Sequence, residues 1–323
     1  MKFQTDFPGL MHYPVERFTP PGTNWQEKLT AADFQRVART ADELGFDAIG
    51  VPEHIVMPHD LVPAMGRFWT DGFTAMSFIA GATTRIQVNS SVIVMPYHHP
   101  VVFAKAVTTL DMLSGGRLKL TIGAGMARGE FAALGVPFEK RGRVMDEYID
   151  AMKVLWSQDE PEFHGEFVDF SRIAFEPKPV QKPHPPLWIG GSSMAALRRA
   201  ARVGDGWSPM GSQGGKGPWL DGPEDLPMVL DEARKVPGFA EREAGFGISM
   251  PLVSTRFGPN HEALPNIDKP IESSQEVIDR IGVLQEVGVT STSIIRPGHV
   301  PRSLEQYLEN LHWAAEEVMG SFR

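Results

Sequence analysis

Short apolar, β-branched runs alternate along the chain with longer stretches whose apolar residues recur at every third or fourth position. The runs lie at Lys2 to Phe7, Ala48 to Pro52, Ile86 to Val94, Leu118 to Gly123, Leu187 to Ile189, Gly206 to Pro209, Gly247 to Ser254 and Ser291 to Arg296, and each predicts a strand. In the first helical stretch Phe34, Val37, Ala38, Ala41 and Leu44 form one face, with Thr30 placed to cap the start and Gly45 to stop the end. The last puts Leu304, Tyr307, Leu308, Leu311, Ala315 and Val318 on one face behind Ser303 as N-cap. Helices are also predicted over Asp71 to Ala82, Val101 to Leu113, Arg141 to Trp156, Ser193 to Val203, Pro223 to Lys235 and Ser273 to Val287.

Eight strand-then-helix units predict a single-domain (β/α)8 TIM barrel spanning residues 1–323, a closed parallel sheet inside a helical ring that typically takes about 250 residues. Insertions account for the excess: Glu53 to Trp69, Ser157 to Pro186, Met210 to Gly222 and Arg256 to Ile271. Three of them follow a strand and so lie at the C-terminal mouth, where such barrels place their active sites. The Ser157 to Pro186 stretch follows a helix, and its Phe163-His-Gly-Glu-Phe-Val run reads as a hairpin in a covering arm. A doubly wound sheet competes, but the eighth unit and the lack of a first-strand glycine fingerprint count against it.

Composition narrows the function classes. With 42% hydrophobic residues, 22% charged and no cysteine, the 323-residue chain builds a core without disulfides and excludes cysteine nucleophiles and thiol redox pairs. The 32 glycines and 27 prolines call for many punctuated turns. A net charge of −9 opposes nucleic-acid binding and requires that any anionic ligand be held by local donors. The first ten residues lack the apolar stretch of a signal peptide, and no run approaches the ~20 apolar residues of a membrane span, so a cytoplasmic protein off the membrane is expected.

Candidate chemistry collects at strand ends. Glu53 and His54 end the second strand, where neighbours point to opposite sides; a histidine there either moves protons or serves as a structural hydrogen-bonder. Asn89-Ser90-Ser91-Val92 makes the third strand polar for a barrel interior, which demands partners or a ligand. Gly123-Ala-Gly125-Met126-Ala-Arg128 lacks the third glycine of a dinucleotide loop and reads better as a tight turn where a ring can approach backbone. Gly190-Gly191-Ser192-Ser193 joins a strand to a helix start: either a phosphate seat or a serine-capped turn. The glycine-rich Met210 to Gly222 segment, with Lys216 and Trp219, is either a mobile lid or a surface loop. The histidines show no HExxH spacing, so no catalytic metal is expected, and no GxSxG nucleophile elbow occurs.

Six segments in order, Ser91-Val-Ile-Val-Met-Pro-Tyr-His-His-Pro100, Leu110-Asp-Met-Leu-Ser-Gly-Gly-Arg-Leu118, Glu130-Phe-Ala-Ala-Leu-Gly-Val-Pro-Phe138, Pro177-Lys-Pro-Val-Gln181, Pro185-Pro-Leu-Trp-Ile-Gly-Gly191 and Gly204-Asp-Gly-Trp207, resemble the luciferase-like monooxygenase superfamily. The likeness is closer to its coenzyme F420-dependent oxidoreductases. The resemblance implies a tricyclic ring across the barrel mouth, supported by a third-strand bulge whose non-proline cis peptide would fall at Ser91–Val92. It implies cofactor contacts from Ser91, Val92, Gly125, Met126, Gly190, Gly191, Ser192 and Ser193, and catalytic roles for His54 and Glu53, with Glu53 standing where relatives usually carry aspartate. Met126 replaces the glutamate of sugar-phosphate dehydrogenases, which points to a less polar pocket lined by Met57, Met65, Trp69, Met126 and Trp207. The expected activity is F420-dependent hydride transfer to or from a small organic molecule, with an FMN-dependent monooxygenase as alternative. A homodimer is expected by resemblance.

Overall fold

The structure is a computed structural model that describes residues 1–7, 25–209, 222–252, 256–257, 263–264, 271–294, 296–299 and 301–322. In chain order the strands are β1 (Lys2–Asp6), β2 (Ala48–Val51), β3 (Gln87–Ser90), β4 (Ile93–Val94), β5 (Leu118–Gly123), β6 (Phe163–His164), β7 (Asp169–Phe170), β8 (Leu187–Gly190), β9 (Gly206–Ser208), β10 (Gly247–Ile248), β11 (Arg256–Phe257), β12 (Ala263–Leu264) and β13 (Ser291–Ser293). The helices are α1 (Ala31–Leu44), α2 (Val62–Met65), α3 (Gly72–Ala82), α4 (Pro100–Ser114), α5 (Arg128–Ala133), α6 (Arg141–Ser157), α7 (Met194–Val203), α8 (Leu226–Arg234), α9 (Ser274–Glu286) and α10 (Leu304–Trp313).

Eight parallel positions run in the order β10-β9-β8-β5-β3-β2-β1-β13, with β4 continuing β3 alongside β5. A bridge between Ser249 and Ser291 joins the two ends, reinforced by Thr290 N–H to the Ile248 carbonyl at 2.9 Å and Met250 N–H to the Ser291 carbonyl at 3.1 Å. The expected (β/α)8 barrel is therefore present, and each barrel strand is followed by a helix. Thr30 caps α1 in a reciprocal box with Asp33, and Gly45 ends it at φ 80°, as the sequence pattern requires. Asp42, near the end of α1, reaches across to the turn before β3 and accepts from the backbone N–H groups of Thr84, Arg85 and Ile86. The Phe163 to Val168 run forms the anticipated hairpin, β6 against β7.

Three expectations change. The third strand is not continuous over Ile86 to Val94: it breaks after Ser90 and resumes at Ile93, so Ser91 and Val92 are set out of the ladder. The seventh is short, Gly247–Ile248, and the end of its expected range lies outside the described residues. The last helix gives way at Ala314–Val318 to a π-helical turn. Of the Met210 to Gly222 segment, read as either a lid or a surface loop, residues 210–221 lie outside the described residues, as does most of the Arg256 to Ile271 insertion, where β11 and β12 pair antiparallel.

Strand parity explains an unusual bore. Phe3, Ile49, Val88, Leu120, Ile189 and Trp207 face the helices and are buried, so the alternate residues face inward. Most barrels fill that space with Val, Ile and Leu. Here the inward positions carry Gln4, Asp6, Asn89, Lys119, Thr121 and Trp188, with Gly50, Gly206 and Gly247 between them. A Cβ on Gly206 would stand 2.4 Å from the Trp188 ring and one on Gly247 2.3 Å from it, so these glycines exist to admit the indole. Lys119 places Nζ 3.4 Å from the centroid of that ring. Burial, then the charge of Lys2, pulls the Lys119 ammonium down to about 7.

Candidate active site at the barrel mouth

The β3–β4 break builds the wall of the mouth. The Ser91–Val92 peptide is cis, at the position expected. Glu53, two residues past β2 and not at its end as expected, is 2% exposed and turns into this wall: Oε2 accepts the Val94 N–H at 2.9 Å, and the carboxylate meets His98 Nε2 at 3.0 Å. It fastens the segment that carries Val92. His54 turns the other way and keeps part of its ring exposed.

His54 has a partner that sequence reasoning missed. Its Nδ1 lies 3.0 Å from Oε2 of Glu130, a fully buried residue at the start of α5. The same oxygen accepts the Tyr97 hydroxyl at 3.0 Å, while Oε1 accepts the backbone N–H groups of Ile55 at 2.6 Å and Val56 at 3.2 Å. Burial pulls this carboxyl up, but the hydrogen bonds from His54, Ile55 and Tyr97 and the charge of His54 outweigh it and hold the group below its ordinary range. Glu130 is therefore an anion, Nδ1 of His54 carries a proton towards it, and in the neutral ring Nε2 is the acceptor. Burial, then the charge of Glu130, pushes the Tyr97 phenol well above its usual value and keeps it protonated. Trp69 packs edge-on against the His54 ring at 4.6 Å. Glu130 lies within a segment that carried the family resemblance, but nothing local in the sequence ties it to a histidine 76 positions away.

The glycines that follow β5 and end β8 make a cradle. Gly125 adopts φ 80°, and a Cβ there would stand 2.6 Å from Val94 and 2.7 Å from Phe131. On Gly190 a Cβ would meet Val92 Cγ1 at 2.5 Å, so the bare backbone lets Val92 lean across the mouth as an apolar platform. Ser193 caps α7, its hydroxyl accepting from Ala196 N–H, and Gly191 at φ 113° makes the turn into the cap. Gly191 is also fixed by Trp207 Nε1, which donates to its carbonyl at 2.8 Å. Trp207 is fully buried and so braces the turn instead of lining the pocket. Met57, Met65, Trp69 and Met126 all keep partial exposure. The Asn89 side chain finds its partners in Gln4 at 2.7 Å and Thr121 at 2.9 Å.

A family model for luciferase-like monooxygenases matches residues 14–216. The chain belongs to the luciferase-like monooxygenase family. Among curated relatives, an FMNH(2)-dependent dimethylsulfone monooxygenase from Pseudomonas putida is 37% identical over 138 residues, which are 42% of this chain and 38% of that protein. The present chain thus aligns with well under two thirds of that relative's length. Among solved structures, the monooxygenase RslO1 from Streptomyces bottropensis aligns over 100% of both chains with a TM-score of 0.75 and 21% identity. An F420-dependent secondary alcohol dehydrogenase, in complex with an F420-acetone adduct, aligns over 96% of this chain and 98% of its own with a TM-score of 0.66 and 17% identity. Both structures establish the fold that this luciferase-like chain shares. Among the described residues no group of acidic and histidine side chains is arranged to hold a metal ion, and no helix is long and apolar enough to cross a membrane.

Proposed function

We propose that this luciferase-like protein is an oxidoreductase that transfers a hydride between coenzyme F420 and a small, weakly polar organic substrate. The observation that carries the reading is the His54–Glu130 pair. Oxidising an alcohol removes a hydride from carbon and a proton from oxygen, and a redox ring alone leaves the proton without an acceptor. His54 Nε2, held by a buried carboxylate behind the ring, supplies that acceptor and returns the proton in the reverse direction.

The residues fit a bound tricyclic ring. Val92 offers an apolar platform for which Gly190 makes room, Gly125 makes room for Val94 and Phe131 behind it, and among the described residues the buried polar atoms Trp69 Nε1 and Thr70 Oγ1 have no partner. Ser91, Val92, Gly125 and Met126 would hold the ring, while Gly190, Gly191, Ser192 and Ser193, at the N-terminus of α7, would take its phosphate against the net charge of −9. The bound deazaflavin supplies the hydride chemistry. Glu130 holds the His54 tautomer, Tyr97 shares its oxygen, and Glu53 serves as a positioning residue, because both its oxygens are engaged in the wall. The exposed faces of Met57, Met65 and Met126 suit an apolar substrate and limit water near His54.

A second reading, an FMN-dependent monooxygenase using O2, is favoured by the identity to the P. putida sulfone monooxygenase. Titrating the purified apoprotein with F420 and with FMN, each read by fluorescence quenching, separates the two. Tight F420 binding and F420 reduction by one of a panel of secondary alcohols are expected; preference for FMN reverses the order. Replacing His54 with alanine should spare cofactor affinity and cut turnover on the order of 10²-fold. The same reading includes a homodimer in the cytoplasm, and the dimer is checked by sedimentation velocity.

A further inference from the structure

Inside the bore, four side chains form a hydrogen-bond chain with a single direction. Thr121 Oγ1 donates to Asn89 Oδ1 at 2.9 Å, Asn89 Nδ2 donates to Gln4 Oε1 at 2.7 Å, and Gln4 Nε2 donates to Asp6 Oδ1 at 3.5 Å. Every donor points towards Asp6. The path crosses β2 at Gly50, where a Cβ would stand 2.4 Å from Gln4 Nε2 and 2.9 Å from Asp6 Oδ1, so the glycine is what lets the chain pass.

Asp6 is the last residue of β1 and faces inward with part of its side chain still exposed. The strand pairings, followed round the barrel with its stagger of one residue per strand, bring Asp6 to the level of Ser91 and Gly190, the two edges of the cofactor cradle. Among the described residues the groups that face it are few. Gln4 comes from its own strand, β2 presents only Gly50, and α10 presents the Tyr307 phenol, which donates to the Asp6 backbone carbonyl and not to its carboxylate. Among the described residues no cation pairs with Asp6. Thus Oδ1 receives the chain from below, while the carboxylate has further acceptor capacity.

We propose that Asp6 is a ligand-contacting residue of this site, a carboxylate that accepts a hydrogen bond from a second O–H or N–H of the substrate, beside the hydroxyl whose proton His54 receives, and so selects substrates bearing such a donor. The inference rests on the reading of the mouth as a ring-and-substrate site and adds a specificity determinant to it. Burial raises the Asp6 carboxyl to about 6 against the lowering effect of Gln4. The acceptor is therefore present above that pH and lost below it.

The test uses the cofactor-loaded protein and matched ligands, secondary alcohols with and without a second O–H or N–H, with dissociation constants measured by quenching of ring fluorescence between pH 5 and pH 7.5. In the wild type, binding of the two-donor alcohols should tighten several-fold relative to the single-donor ones as pH rises through this window. Asp6→Asn should weaken the two-donor alcohols about tenfold, leave the single-donor ones within twofold and remove this difference in pH dependence. Equal losses for both ligand classes, or a pH profile unchanged in the variant, would overturn the inference while leaving the functional reading intact. A flat wild-type profile overturns it even if the variant fails to fold. Failure of the wild type to bind either ring removes the functional reading, and the inference with it.

Discussion

Glu130 accepts the Nδ1 proton of His54 at 3.0 Å across 76 positions of chain, from a site with no solvent contact. The contact turns an ordinary mouth histidine into a group with one defined tautomer. Glu130→Gln keeps the shape but removes the charge and offers the ring an amide of either orientation. We expect kcat to fall by about 10- to 100-fold with KM nearly unchanged, because the loss is one of proton transfer and not of binding. The pH profile of kcat should also move, which a purely structural role would not cause. A variant with wild-type kcat and profile would remove Glu130 from the mechanism.

Gly190→Ala tests the cradle. The new methyl would meet Val92 Cγ1 at 2.5 Å and force the platform out of place. Overpacking of this kind costs about 1–3 kcal/mol. A lowered melting temperature together with at least a tenfold loss of ring affinity is expected in parallel fluorescence and calorimetric titrations. Loss of stability with full affinity would show that Val92 is core and not platform.

Lys119 should make the protein sensitive to pH from within its bore. Its ammonium is pulled from 10.5 to about 7 in the fold, so the folded state favours the neutral amine. The unfolded chain then binds more protons than the folded one between these values, and stability gains from this group as pH rises through that window. Below about 7 the charged form is carried at a cost that the Trp188 face offsets only in part. Lys119→Met should therefore raise the melting temperature at pH 6 and confer less benefit at pH 10. Destabilisation at both values would mean that the contact with Trp188 outweighs desolvation.

Asp42 predicts a dependence of the same sign in the acid range, from a group that stabilises the fold. Burial raises its carboxyl, but hydrogen bonds from Thr84, Ile86 and Arg85 outweigh this and leave it lowered. Its contribution is present above the unfolded carboxyl range and fades as pH falls through the folded value. Asp42→Asn should cost about 1–3 kcal/mol at pH 7 in urea denaturation. The gap to wild type should narrow near pH 3.

The barrel was legible because its determinants are local. Thr30 with Gly45 at the ends of α1, Ser303 before α10, and eight apolar runs each followed by a 3.6-period stretch report backbone preferences that need no distant partner. The break after Ser90 was legible only through the family resemblance, since Asn89-Ser90-Ser91-Val92 by itself marks polarity and not a change of register. Glu53 and His54 do point to opposite sides, but β2 ends at Val51, so partners from the β3–β4 wall and from α5, and not strand alternation, set their directions. Trp207 read as pocket lining because an aromatic at a strand end fits either face; packing places it behind Gly191 as a brace.

Amino-acid order alone determined the eight strand-then-helix units and the position of the mouth, because periodicity, caps and glycine turns act over a few residues. Closure of the barrel determined the rest. Only then do Glu130 and His54 meet, Gly50 open a path for Gln4, and Gly206 and Gly247 make room for Trp188. Those relationships depend on strand stagger and on volumes supplied by segments far apart in sequence, and no local pattern encodes them.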